Sequence, residues 1–176
     1  MSSRYDPVSG SQGQSIRETT VYCDGASSGN GKTGAAAGYG VVFQDKSLSH
    51  LNESGRLAGP AQTNNRAELQ GMIRAVQQSP KDGSQLIIKS DSQYGIKAAN
   101  EWLPEWKQNG WRTARGEPVK NQDLIKQLDN QLNGHSPRPK LEYVRGHSGD
   151  AGNVEADRLA RNGAKLPQPD FYEEYY

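Results

Sequence analysis

The stretch Thr19 to Phe43, TTVYCDGASSGNGKTGAAAGYGVVF, decides the fold. Thr20-Val21-Tyr22-Cys23 and Ala37-Gly38-Tyr39-Gly40-Val41-Val42-Phe43 are rich in β-branched and aromatic residues, and the glycines between Gly25 and Gly34 give their connection mobility. Two neighbouring strands are expected. A polar stretch from Leu48 to Leu57 adds a third, and three consecutive strands predict an antiparallel meander. A glycine-rich loop alone is only a weak sign of phosphate binding.

Beyond the meander the period changes. Leu69, Met72, Ile73 and Val76 recur at i, i+3, i+4 and i+7 behind the capping candidates Thr63 and Asn64, which predicts a helix over Asn64 to Gln78, ended before Pro80. A buried strand at Leu86 to Lys89 follows. A helical segment then runs from Ser92 toward Trp102, where Pro104 must break or kink it. Further helices are expected at Gln122 to Leu132 and at Asn153 to Lys165, the latter ended by Pro167 and Pro169, with a strand at Leu141 to Val144 between them. This order predicts an α/β fold: a five-stranded mixed sheet in which crossovers set the last two strands parallel to the first. Asp24 and Asp91 then close adjacent strands.

A chain of 176 residues, 32% of them hydrophobic, is long enough for one domain and short for two. That domain is expected over residues 18–166. Residues 1–17, rich in Ser, Gly and Gln, read as a flexible leader or linker remnant, and residues 167–176 as a mobile tail. No run reaches membrane-spanning length and no secretory signal opens the chain, so a soluble intracellular protein with no membrane partner is expected. The single cysteine, Cys23, excludes an internal disulfide and argues against a thiolate zinc site; its place in the strand pattern makes it a small core residue.

The net charge of +1 gives no global basic field, so any nucleic-acid binding must use a local patch. Lys107, Arg112, Arg115 and Lys120, opposed by Glu117 alone, form one such patch, which is otherwise an ordinary solvated loop. Trp102, Trp106 and Trp111 are interleaved with it. They are core residues by type, but aromatic faces beside cations also suit a nucleic-acid backbone.

Four carboxylates carry the chemistry. Taken singly, Asp24 is a turn residue, Asp91 a helix cap, Glu68 a partner for a helix dipole and Asp157 the border of an apolar stripe. Together they stand at strand ends and helix starts that converge on one sheet edge, and gathered carboxylates are costly without cations. A magnesium-dependent site follows.

The motifs at these acids resemble the type 1 ribonucleases H, which cut the RNA strand of RNA/DNA hybrids. The resemblance lies in Tyr22-Cys23-Asp24-Gly25-Ala26-Ser27, in Gln62-Thr63-Asn64-Asn65-Arg66-Ala67-Glu68-Leu69, in Ser90-Asp91-Ser92, and in Gly146-His147-Ser148-Gly149-Asp150 continuing through Asn153-Val154-Glu155-Ala156-Asp157-Arg158-Leu159-Ala160. It spans about Thr19 to Lys165. It implies a ribonuclease H-like fold and a Mg²⁺-dependent endoribonuclease that leaves 5′-phosphate and 3′-hydroxyl ends. Asp24, Glu68, Asp91 and Asp157 are then the ligands of two Mg²⁺ ions, with Mn²⁺ as a substitute, and His147 is an auxiliary catalytic residue that moves protons or helps product leave.

By the same resemblance Asn64 and Asn65 read the RNA minor groove, and Trp102 and Trp106 belong to a basic protrusion, with Lys107 and Arg112, that grips DNA. Thr63 and Asn121 match a DNA phosphate pocket. Two positions depart: Ala61 stands where animal relatives have an arginine in that pocket, and Ala114 where a small hydroxyl residue is expected. The leader reads as the remnant of a linker to a hybrid-binding N-terminal domain, or as a natural single-domain form, in either case less processive. The resemblance also implies a monomer resident in the nucleus or mitochondrion. The competing readings are a catalytically silent hybrid-binding module and another nuclease or transposase on the same fold.

Overall fold

The computed structural model describes residues 16–146 and 149–169. Strand β1 (Glu18–Ser28) pairs antiparallel with β2 (Ala36–Phe43), which pairs antiparallel with β3 (Glu53–Arg56). Strand β4 (Gln85–Ser90) lies parallel to β1 on its other side, and β5 (Lys140–Tyr143) parallel to β4. The spatial order is β3-β2-β1-β4-β5. Both the meander and the parallel pair are therefore present. The third strand is shorter than its sequence window, because Lys46–Leu51 closes into a 3₁₀ turn capped by the Asp45 carboxylate.

Side chains of β1 alternate between two layers. Val21 and Cys23 face helix α1 (Asn64–Gln78), packing with Leu69, Met72, Ile73 and Val76, and with Leu124, Ile125, Leu128 and Leu132 of helix α4 (Gln122–Gly134). Tyr22 faces the opposite side and meets Ala156 of helix α5 (Ala151–Gly163). Burying each large side chain of the first layer stabilises the fold by about 1.5–3 kcal/mol. Cys23 is fully buried, and burial pushes its thiol well above the ordinary value. It is a core residue.

Helix α1 has the bounds its period predicts. The Thr63 hydroxyl accepts from Arg66 N at 3.2 Å, while Asn64 N donates to Asn30 Oδ1 at 2.9 Å. Its first turn is thus satisfied on both sides. Gln62, just ahead, is buried and fully bonded: its amide donates to the carbonyls of Leu57 and Gly59 and accepts from Ala37 N and Arg56 Nε.

Around Pro104 the structure differs from expectation. Helix α2 (Gln93–Lys97) passes through a π turn (Ala98–Trp102) into helix α3 (Leu103–Gln108), so the chain stays helical across the proline. Leu103 N–H reaches back five residues to Ala98 O. The widened turn makes room for the ring, and Pro104 falls in the first turn of α3, where a missing N–H costs little. Helix α5 also starts earlier than predicted, because Asp150 caps it by accepting from Gly152 N and Asn153 N.

Of the flanking segments, residues 1–15 and 170–176 lie outside the described residues. Arg17 pairs with Asp82 at 2.5 Å, and Gln168 donates to Gly59 O at 2.5 Å, so the described parts of both flanks touch the domain.

Helix α5 packs backbone to backbone on β2. A Cβ on Gly40 would lie 2.3 Å from Ala156 O, and one on Gly38 would lie 2.2 Å from Ala164 N. Neither neighbour is a flexible side chain. Gly40→Ala is expected to lower the unfolding free energy by about 1–3 kcal/mol, read as a lower urea midpoint. Gly134→Ala, whose added methyl meets nothing within 4 Å, should leave the midpoint unchanged or raise it.

Candidate active site

Each acid is placed by a different element. Asp24 lies in β1 opposite Gly40 of β2 and is only 5% exposed. Asp91 follows the last residue of β4, and the parallel register Tyr22↔Lys89, extended by two residues, sets it beside Asp24. Glu68 comes from α1. It arrives because residue 25 is glycine: a Cβ there would lie 2.4 Å from Glu68 N and 2.6 Å from Ala67 C. With no side chain in the way, α1 lies directly on β1 and presents its carboxylate beside Asp24, which does not close the strand as expected, because pairing with β2 carries β1 on to Ser28.

The result is a cluster. Carboxylate oxygens of Asp24, Glu68 and Asp91 all lie within 4.8 Å of one another. Gly25 N donates to Asp24 Oδ1 at 2.8 Å and Ser92 Oγ to Glu68 Oε2 at 2.5 Å, bonds that hold two of the side chains in place. Burial first, and then the charge of Asp91, pushes the Asp24 carboxyl up to about 8. Burial also raises Glu68, against the opposing effect of the Ser92 bond. Three carboxylates in so small a space offer hard oxygen donors that repel one another, a donor set suited to Mg²⁺ or Mn²⁺ and unsuited to soft metals. The residues fit a divalent ion.

Asp157 stands apart from the cluster. It lines the same cavity of about 850 Å³ as Asp24, Glu68 and Asp91, but pairs with Arg161 one turn along α5 at 3.0 Å. The structure therefore gathers three of the four acids within 4.8 Å, with the fourth on the wall of their cleft. A partly exposed carboxylate one turn before an arginine takes the nearest cation. His147 lies outside the described residues. Of its described neighbours, Gly146 lies where a Cβ would sit 3.1 Å from Asp91 Oδ2, and Asp150 is the cap of α5.

The remaining candidates fall into two groups. Asn64 lines the cavity, and Asn65, exposed, follows it in the first turn of α1. Farther off, Asn121 precedes α4 in a left-handed conformation (φ 61°), donating to Tyr94 Oη at 3.1 Å and accepting from Arg66 at 3.4 Å. The Thr63 hydroxyl accepts from the backbone N–H of the same arginine, and Arg66 grips Asp123 with both arms of its guanidinium. Ala61 is exposed and adds no cation.

The aromatic segment forms one row. Tyr94, Trp102, Trp106 and Trp111 follow one another with ring centroids 5.9, 5.5 and 6.1 Å apart, and Lys126 sits 4.9 Å above Trp111. These rings are partly buried and pack against the core, as their residue type predicts. Lys107 pairs with Asp129 at 2.7 Å, and Arg112, exposed, donates to Gly116 O. Lys126 is the cation the sequence did not single out; it stands four residues after Gln122 on α4, too far along the chain from the basic loop to be grouped with it.

Asn153 was missed as well. It lines the cavity, is 5% exposed, and donates to Asp91 Oδ2 at 3.3 Å. The signal was there: a polar residue four before Asp157, on the buried face of the same helix.

Comparison with known proteins finds similar sequences and folds. The family model described as RNase H matches residues 17–165. A ribonuclease H of Schizosaccharomyces pombe is 49% identical over 144 residues, covering 82% of this chain and 52% of that protein, so the chain spans about half the length of this relative. A ribonuclease H of Cyanothece sp. is 46% identical over 153 residues, covering 85% of this chain and 91% of that protein. Among solved structures, the crystal structure of LC9-RNase H1, described as a type 1 RNase H with the type 2 active-site motif, superposes with a TM-score of 0.65 at 27% identity, covering 92% of this chain and 81% of that one.

The raised Asp24 carboxyl fixes a pH dependence of the metal-free protein. An acid whose folded pKa is raised favours the folded state's protonated form, so its penalty is absent below about pH 4, grows as pH rises, and is complete above about pH 8. Asp24→Asn should therefore raise Tm in EDTA at pH 8 by about 2–4 °C per kcal/mol relieved, and leave it unchanged below pH 4. Thermal melts at the two pH values check this.

Proposed function

Since the chain belongs to the ribonuclease H family, we propose that it hydrolyses the RNA strand of RNA/DNA hybrids at the Asp24, Glu68, Asp91 and Asp157 cleft. The observation that carries this reading is the meeting of three carboxylates from β1, α1 and β4 within 4.8 Å, in a cavity that also takes in Asn64. When bound, divalent metal ions would supply an activated water and Lewis acidity at the scissile phosphate. Asp24, Glu68 and Asp91 would hold them from one side and Asp157 from the α5 side.

The protein's other residues orient the strand and manage protons. The Asn64 and Asn65 amides both donate and accept, which suits a ribose 2′-OH and selects RNA over DNA at the cut. Water oxygen bonds to phosphorus as the bond to O3′ breaks, leaving a 5′-phosphate and a 3′-hydroxyl. His147 carries a proton toward or away from the departing ends. The tryptophan row with Arg112 and Lys126 is set to receive the DNA strand, its rings against sugars and its cations against phosphates. Thr63 and Asn121 contribute a phosphate contact, without an arginine at position 61.

The reading is tested with labelled RNA/DNA, RNA/RNA and DNA/DNA duplexes in Mg²⁺ or EDTA. Only the hybrid with Mg²⁺ should be cut, and Asp91→Asn should slow that cut by at least about 10²-fold. Cutting of all-DNA duplex would point to another nuclease on this fold, and hybrid binding without cutting to a silent module. His147→Ala should lower kcat while leaving Mn²⁺ affinity, measured by calorimetry, at the wild-type value. An unchanged rate at saturating Mg²⁺ removes His147 from the reaction.

A further inference from the structure

An asparagine on the inner face of α5 is out of place unless it is bonded, because burying a free amide costs about 1–3 kcal/mol. Asn153 is 5% exposed. Its Nδ2 donates to Asp91 Oδ2 at 3.3 Å, while its Oδ1 is buried without a hydrogen-bond partner among the described residues. The amide cannot be reversed: Oδ1 turned to Asp91 would set one acceptor against another.

The position of this residue on the helix matters as much as its bond. Asn153 and Asp157 are one turn apart on the same face, so a helix that fixes one fixes the other about 6 Å along its axis. The start of α5 is itself seated on β1, where Tyr22 Oη donates to Asp150 Oδ2 at 3.1 Å and a Cβ on Gly152 would strike the Tyr22 ring at 2.3 Å. Asn153 thus links β4, which brings Asp91, to α5, which brings Asp157.

We propose that Asn153 is a positioning residue for the acidic cleft: it holds Asp91 by Oδ2, turns Oδ1 of that carboxylate toward the cation, and sets the register of Asp157 across the cavity. The proposal rests on the metal-dependent reading of the site given above. Residues that orient metal ligands in this way change metal affinity or activity by about 10–100-fold when removed.

The test compares wild type, Asn153→Ala and Asn153→Leu, the last keeping the buried volume without an amide. Mn²⁺ affinity is measured by calorimetry without nucleic acid, the Mg²⁺-induced rise in Tm by thermal melts, and kcat and KM on a hybrid. Both variants are expected to bind Mn²⁺ at least about tenfold more weakly. Their kcat should fall and their half-saturating Mg²⁺ rise, with KM for the hybrid within twofold of wild type. Wild-type metal affinity in both variants overturns the proposal, even if Tm in EDTA falls, since a purely structural role would do only that. Failure of both to give the wild-type circular dichroism spectrum assigns Asn153 to folding and also overturns it. If wild type cuts no hybrid, the activity reading fails while the Mn²⁺ titration still decides the role of Asn153.

Discussion

The approach of α1 to β1 at Gly25 is the constraint on which the site depends. Helices usually stand off a sheet by the thickness of two side-chain layers, but here a Cβ would already lie within 2.4 Å of the helix backbone. That closeness carries Glu68 to the side of Asp24 on the strand. On the opposite face Gly38 and Gly40 let α5 come equally near β2, and so bring Asp157 to the same cleft. Two close contacts, one on each face of the sheet, therefore converge on one edge. The rest of the fold keeps them rigid: a single apolar layer of α1 and α4 on one side, and the small residues Ala156 and Ala160 on the other.

The same arrangement is electrostatically unfavourable by itself. Asp24 is buried next to Asp91 and prefers its proton up to about pH 8, and Glu68 is pushed the same way. The fold accepts this because its stability comes from elsewhere, chiefly the apolar layer, and because backbone and hydroxyl donors from Gly25 and Ser92 hold the carboxylates in place. Function is built into a region that opposes stability, as is common where charge must be concentrated.

Much of this was legible from residues. Helix α1 matched its predicted bounds because its apolar period and its Thr63 cap agreed, and the meander and the crossover rule together set Asp24 beside Asp91. The failures share a cause: they turn on which partner a side chain or carbonyl finds in space. Of the outcomes Pro104 allowed, the structure shows no break, because a π turn just before it absorbs the ring. Lys107, counted among the free cations of the basic loop, meets Asp129, a buried acid 22 residues later. Asn153 went unnoticed because its partner belongs to another element. Period and capping are local properties, whereas these pairings are not.

All three tryptophans of the chain stand in the single row that runs from Tyr94 to Trp111, on the helical handle α2–α3 and the loop after it. Their emission is therefore a local signal. With no indole elsewhere in the chain to contribute background, intrinsic fluorescence is a built-in reporter of what touches the handle. Adding a divalent ion to the protein should leave the spectrum nearly still, because no tryptophan lines the acidic cavity, whereas a nucleic-acid strand laid against the rings should quench it. The two events of the proposed reaction can thus be observed separately without attaching any label.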